Sequence, residues 1–131
     1  MDRNLYIALS RRASDLVDAG EYAQAIEVLQ QLVDSDLPDF DKGMMCVNIA
    51  TVHDKMGNRQ AALKSYAEAL DHERNTASYF IAQEYAAYLS KIGMHADSIG
   101  IYQALMERSD LKSDDAGVFQ ANIRTLEALT D

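Results

Sequence analysis

The stretch Gly57-Asn58-Arg59-Gln60-Ala61-Ala62-Leu63-Lys64-Ser65-Tyr66-Ala67-Glu68-Ala69-Leu70 decides how this chain folds. A glycine breaks one helix, and Ala62, Leu63, Tyr66, Ala69 and Leu70 then recur at the spacing of one helical face. The same frame surrounds Gly20 and Gly93. Seven residues before each glycine stands Ala13, Ala50 or Ala86, and five residues after it stands Ala25, Ala62 or Ser98. Nine residues after it comes a larger side chain, Leu29, Tyr66 or Tyr102. The glycines are 37 and 36 residues apart. Self-similarity at that period marks a helical repeat array, whose units stack because none buries its apolar face alone.

Working outward from this stretch, the pattern predicts seven helices and no strand. The first covers about 2–18, with Tyr6, Leu9, Ala13 and Leu16 in phase, and the second covers 22–34. Asp36-Leu-Pro-Asp-Phe-Asp reads as a loop, and a third helix is expected from about Lys42 to Met56. The fourth follows Gly57-Asn58. Asn75-Thr76 is the expected N-cap of the fifth helix, and Gly93 divides that helix from the sixth. Ser113-Asp114-Asp115 opens the seventh, where acidic residues suit the helix dipole. Small residues at the paired positions have a mechanical reason. Antiparallel helices joined by a tight turn approach closely only where Ala13 can face Ala25, Ala50 can face Ala62, and Ala86 can face Ser98.

The chain of 131 residues fits one domain with a continuous core, and its hydrophobic fraction of 48% is ordinary for a soluble protein. Its net charge of −9 provides no basic stripe for phosphates, which argues against nucleic acid and anionic membrane. A basic or amphipathic partner is electrostatically easier. Cys46 stands alone, so no intrachain disulfide framework exists, and no apolar stretch reaches bilayer length. With no signal-like leader, the cytoplasm is the expected compartment.

Taken together, these residues resemble the tetratricopeptide repeat family. The likeness covers three units, about 6–38, 43–74 and 79–110, with a capping helix at about 114–130, as one domain over 1–131. The chain departs from the family in several places. Leu9, Cys46 and Ala82 stand where a Trp is frequent, and Leu37, Arg74 and Asp110 replace the unit-ending proline. Arg12 takes a place that is inward in the other units, where Ile49 and Tyr85 stand.

The resemblance implies an all-α, right-handed superhelix of antiparallel hairpins, a solenoid whose inner surface is lined by the first helix of each hairpin. Carried over place by place, that groove presents Ile7, Ser10, Arg11, Ser14, Met44, Val47, Asn48, Thr51, Phe80, Gln83, Glu84 and Ala87. Ile7, Met44 and Phe80 each precede their glycine by 13 residues and are expected to form an apolar ladder. The alternative is that these side chains seal the packing between helix ends. Asn48 stands where the family uses an amide to grip a peptide backbone, since the amide both donates and accepts. Members that clamp a terminal carboxylate use Lys, Asn and Arg at places held here by Ser10, Ser14, Phe80 and Glu84. Only Asn48 survives, so binding by that route is not expected.

Little in the sequence suggests catalysis. His53 and His95 occupy places the repeat gives to packed aromatics, and His72 ends a helix where a cation suits the dipole. Asp34, Asp36, Asp39 and Asp41 lack the glycine and distant Glu of a calcium loop and read as capping and solvated groups. No phosphate loop or paired metal ligands occur, so no cofactor or metal is expected. Cys46 has no basic neighbour to activate it. Tyr85 is expected in the core, and Tyr88 is a candidate for extending a binding surface.

The expectation is therefore a non-enzymatic adaptor or co-chaperone, binding a protein or peptide of amphipathic and partly basic character. Two alternatives stand beside it. One is a scaffold built by self-association into a homo-oligomer, and the other is a secretion-type chaperone shielding an apolar client segment.

Overall fold

The computed structural model describes residues 1–130. Seven α-helices account for the architecture, with no strand among the described residues: α1 (Arg3–Asp18), α2 (Tyr22–Val33), α3 (Asp39–Lys55), α4 (Arg59–Glu73), α5 (Phe80–Lys91), α6 (His95–Met106) and α7 (Ser113–Thr130). The chain divides into two compact units. The first runs from Met1 to Ser78, and the second begins at Tyr79. In the first unit α1 pairs with α2, α2 with α3, and α3 with α4. In the second, α5 pairs with α6 and α6 with α7.

The three repeat glycines close three copies of one turn. Each is left-handed, with φ of 76° at Gly20, 77° at Gly57 and 85° at Gly93. A Cβ there would meet nothing within 4 Å, so the dihedral selects glycine and crowding does not. The N–H of Glu21, Asn58 and Met94 donates back to the carbonyl of Leu16, His53 and Leu89, at 2.8, 2.9 and 2.8 Å. The glycine N–H donates to Val17, Asp54 or Ser90, completing the Schellman pattern that satisfies the last carbonyls of the helix. The carbonyls of the same three residues then accept the first bonds of α2, α4 and α6, from Ala25, Ala62 and Ser98. One residue thus ends one helix and caps the next, which forces a tight reversal. Asn58 adds a side-chain cap, accepting from the Ala61 N–H at 3.3 Å.

The small-residue pairs are sealed inside. Ala25, Ala50, Ala62, Ala86 and Ser98 are wholly buried, and Ala13 nearly so. In the second unit the Ser98 hydroxyl donates to the Ala86 carbonyl at 2.7 Å, bridging α5 and α6 at the predicted facing pair. The first unit's core joins Ala13, Val28, Leu29, Leu32, Met45, Ile49 and Val52, with Tyr6, Leu9, Leu16 and Met44 packed against it. Buried positions on α3 run through 45–47 and 49–50 because α2 and α4 cover it from two sides. Phe119, Ile123 and Leu126 form the buried stripe of α7. Phe119 meets Tyr79 edge-on at 6.2 Å and Tyr102 at 5.5 Å between ring centroids. Tyr79 is held further by donating to the Asp115 carboxylate and by Arg108 lying 5.2 Å over its ring.

Two boundaries differ from expectation. The third helix starts at Asp39, three residues before the expected Lys42. Pro38 is its N-cap, and Asp39 and Asp41 sit in its first turn, so residues read as loop are helix-initiating. The fifth helix starts at Phe80, later than an Asn75-Thr76 cap would place it. The Thr76 hydroxyl instead donates to the Glu73 carbonyl at 2.8 Å and accepts from the Ser78 N–H at 3.1 Å, finishing α4. A Thr side chain bonds as readily to the turn behind it as to the helix ahead.

Candidate functional site

The first unit carries a cleft of about 260 Å³ walled by α1 and α3. Its apolar lining is Ala13 and Val17 from α1, Leu29 from α2, and Met45 and Val52 from α3. Ser10, Ser14, Asn48 and Thr51 add polar groups, and Asp18 and Lys55, the last residues of their helices, bring opposite charges to it. Four of the sequence-predicted groove residues therefore meet at one place: Ser10, Ser14, Asn48 and Thr51.

Those four differ in what they offer. The Thr51 hydroxyl is engaged, donating to the Val47 carbonyl at 3.1 Å. The Ser10 Oγ is buried and has no hydrogen-bond partner among the described residues. Ser14 and Asn48 are exposed, which leaves the Asn48 amide accessible to a ligand.

The other predicted residues of the first unit stand outside this lining. Ile7 is 42% exposed on α1, and Arg11 is exposed as well. Met44 is half-buried against the core, and Val47 is buried. In the second unit Phe80 is 45% exposed, while Gln83 and Glu84 are half-buried. Ala87 lines a second cleft of about 240 Å³ with Ser90, Tyr102, Asn122, Thr125, Leu126 and Leu129.

Tyr88, a candidate for extending a binding surface, is buried, and Tyr85, expected in the core, is half-buried. Both lie on one helix, and three residues of spacing cannot tell which neighbour covers them. Arg12 is exposed, in contrast to buried Ile49 at the matching place of the second repeat. Cys46 is 2% exposed, and burial followed by the carboxylates of Glu68 and Asp34 pushes its thiol up to about 11. His53 is half-buried with an unpartnered buried Nδ1, and His95 is half-buried at the start of α6. The His72 Nδ1 lies 3.9 Å from the Asp39 carboxylate. No three His, Cys, Asp or Glu side chains gather into a metal site among the described residues.

Sequence reasoning missed the apolar lining and the charged end of the first cleft. The signal was present. Asn48, Thr51 and Lys55 continue one stripe at steps of three and four, and Ser10, Ser14 and Asp18 continue another at steps of four.

Helical hairpins closed by a repeated glycine turn, with buried small residues on both helices of each hairpin, define a helical-repeat protein. Over residues 45–78 the chain matches the family model described as tetratricopeptide repeat. It is also similar to the Photosystem I assembly protein Ycf3 of Synechococcus elongatus, at 40% identity over 52 residues. The protein of that name from a second Synechococcus strain matches equally. In each case the match covers 40% of this chain and 30% of the relative, so the chain spans under a third of the relatives' length. No helix among the described residues is long and apolar enough to cross a membrane.

Proposed function

We propose that this protein is a non-catalytic interaction module, an adaptor or assembly co-chaperone, that receives a segment of a partner polypeptide in the α1–α3 cleft. The observation carrying this reading is the meeting of exposed Ser14 and Asn48 with the apolar side chains Ala13, Val17, Leu29, Met45 and Val52 in one cleft. Hydrogen-bonding groups at a rim give orientation, and an apolar interior supplies affinity. The relatives are named for assembly of a larger complex, which supports a role of the same general kind here. The net charge of −9 favours a partner with basic residues flanking an apolar stretch. Exposed Phe80 gives the second unit an apolar contact point of its own.

The test is affinity capture from native extract by the wild-type chain and by an Asn48→Ala, Phe80→Ala double variant, with captured proteins quantified by mass spectrometry. A partner enriched by the wild type and lost from the double variant, at unchanged helicity and melting, supports the reading. Equal capture by both defeats it.

Self-association is the second reading, favoured by Leu5 at 50% exposure on α1 and by Val118 and Leu129 at 56% and 61% on α7. Light scattering over a wide concentration range separates the two, since an adaptor of this kind stays monomeric.

A further inference from the structure

We infer that the outer face of the N-terminal half of α1 is a second interaction surface, which takes an acidic amphipathic helix of a partner protein. The apolar side of that helix covers Leu5 and Ile7, and its carboxylates pair with Arg3, Arg11 and Arg12. None of these residues lines the α1–α3 cleft, to which α1 contributes Ser10, Ala13, Ser14, Val17 and Asp18.

The repeat shows why the face is open. Leu5, Ala8 and Arg12 stand 37 residues before Lys42, Met45 and Ile49. On α3, Met45 and Ile49 are buried with Val28, Leu29 and Leu32 of α2. At the matching places of α1 the helix is uncovered: Ala8 and Arg12 are exposed, and Leu5 is 50% exposed. What packs at that place in the next repeat is a helix, so a helix is the occupant that fits here.

Charge selects the kind of helix. Arg3, Arg11 and Arg12 are exposed, and none forms an ion pair among the described residues, although the chain carries a net charge of −9. No carboxylate occurs from Arg3 to Ser14. Asp2, just before them, is engaged in accepting the Asn4 N–H at 2.7 Å, and Asp15 follows at the far edge. Arg3 also sits in a first turn that holds no acidic residue, against the preference of the helix dipole. A partner's carboxylate is drawn by arginine and dipole alike, and a guanidinium binds it through two parallel hydrogen bonds. Leu5 and Ile7 add apolar surface that a bare polyanion would leave wet. A face of about three turns suits a weak, exchangeable contact. With the cleft favouring a basic-flanked segment, one chain then holds two partners of opposite charge.

The experiment is a ¹⁵N-¹H NMR titration of the full chain with blocked peptides built from repeated Leu-Glu-Ala-Leu-Glu-Glu-Ala units. Comparison peptides replace every Glu by Lys, or every Leu by Ala. The expected result is saturable shifts at the amides of Asn4 to Arg12 for the Leu/Glu peptide alone, weakening as salt is raised. Arg12→Gln should weaken binding roughly two- to fivefold, the worth of one exposed ion pair, and Leu5→Ser roughly three- to tenfold. Both positions are exposed, so the melting curve should stay put. The Asn48→Ala, Phe80→Ala double variant should bind this peptide as the wild type does, which keeps a failure here distinct from a failure of the cleft. Equal shifts with either comparison peptide, no saturable shifts, or shifts away from α1 would overturn the inference. Tighter binding to phosphatidylserine vesicles or to single-stranded DNA would overturn it as well, by making the face a general polyanion site. Movement of the same amides on concentrating the protein alone would make a second copy the occupant, with the same consequence.

Discussion

The Ser98 hydroxyl donates to the Ala86 carbonyl at 2.7 Å, and both residues are wholly buried. The first two hairpins place alanine at the position of Ser98, so here a polar atom is tolerated only because the facing helix supplies an acceptor. Ser98→Ala should cost about 1 kcal/mol in urea unfolding, the net worth of one neutral hydrogen bond. Ser98→Leu should cost about 1–3 kcal/mol by forcing the helices apart. A loss for alanine equal to that for leucine would show that bonding, not packing, dominates there.

At the second turn, Gly57→Ala should destabilise by about 1–2 kcal/mol, the penalty for an L side chain in left-handed backbone. No atom within 4 Å of the added Cβ contributes to this cost. Gly57→Asn should lose less, since Asn tolerates that region better. Thermal melts of the two variants check the order.

Phe119 is 1% exposed and touches both Tyr79 and Tyr102, so Phe119→Ala should cost about 3–5 kcal/mol through lost burial and the cavity left behind. Hydrogen exchange at α7 amides would report the loosening directly.

Cys46 should resist thiol reagents at pH 8 in the native state, since burial holds its thiol near 11 and little thiolate forms. Unfolding in urea should restore the rate of a free cysteine. Fast native labelling would contradict the core placement.

Three tyrosines make the fold sensitive to alkali. Tyr79 is raised above its ordinary value chiefly by donating to Asp115, and Tyr85 and Tyr102 chiefly by burial. A group raised on folding favours the native state fully below its unfolded value, about 10 for tyrosine, and loses that contribution as pH climbs through the native value. Melting temperature should therefore fall above pH 10, and native phenolate absorbance should lag that of the unfolded chain. Tyr79→Phe should flatten part of the fall, because the phenol that donates to Asp115 is gone.

Much of the fold was legible before any coordinates. Gly20, Gly57 and Gly93 announce their turns because few other residues accept positive φ, and Ala25 and Ala62 announce close helix crossings because only short side chains allow them. Local signals of that kind travel with the residues themselves. The start of α5 was not legible, because Thr76 could bond in either direction and the choice depends on where Glu73 ends its helix.

The sequence by itself determined the helical repeat, its period and the tight reversals, since these follow from backbone preference and from which faces are apolar. Only the tertiary structure decided that Tyr88 is buried and Tyr85 half-covered, that Ser10 hides an unpartnered hydroxyl, and that Leu29 of a different helix lines the cleft beneath Asn48. Helical spacing names the face on which a side chain stands. What covers that face is set by neighbours distant in the chain, whose approach depends on packing across several helices at once.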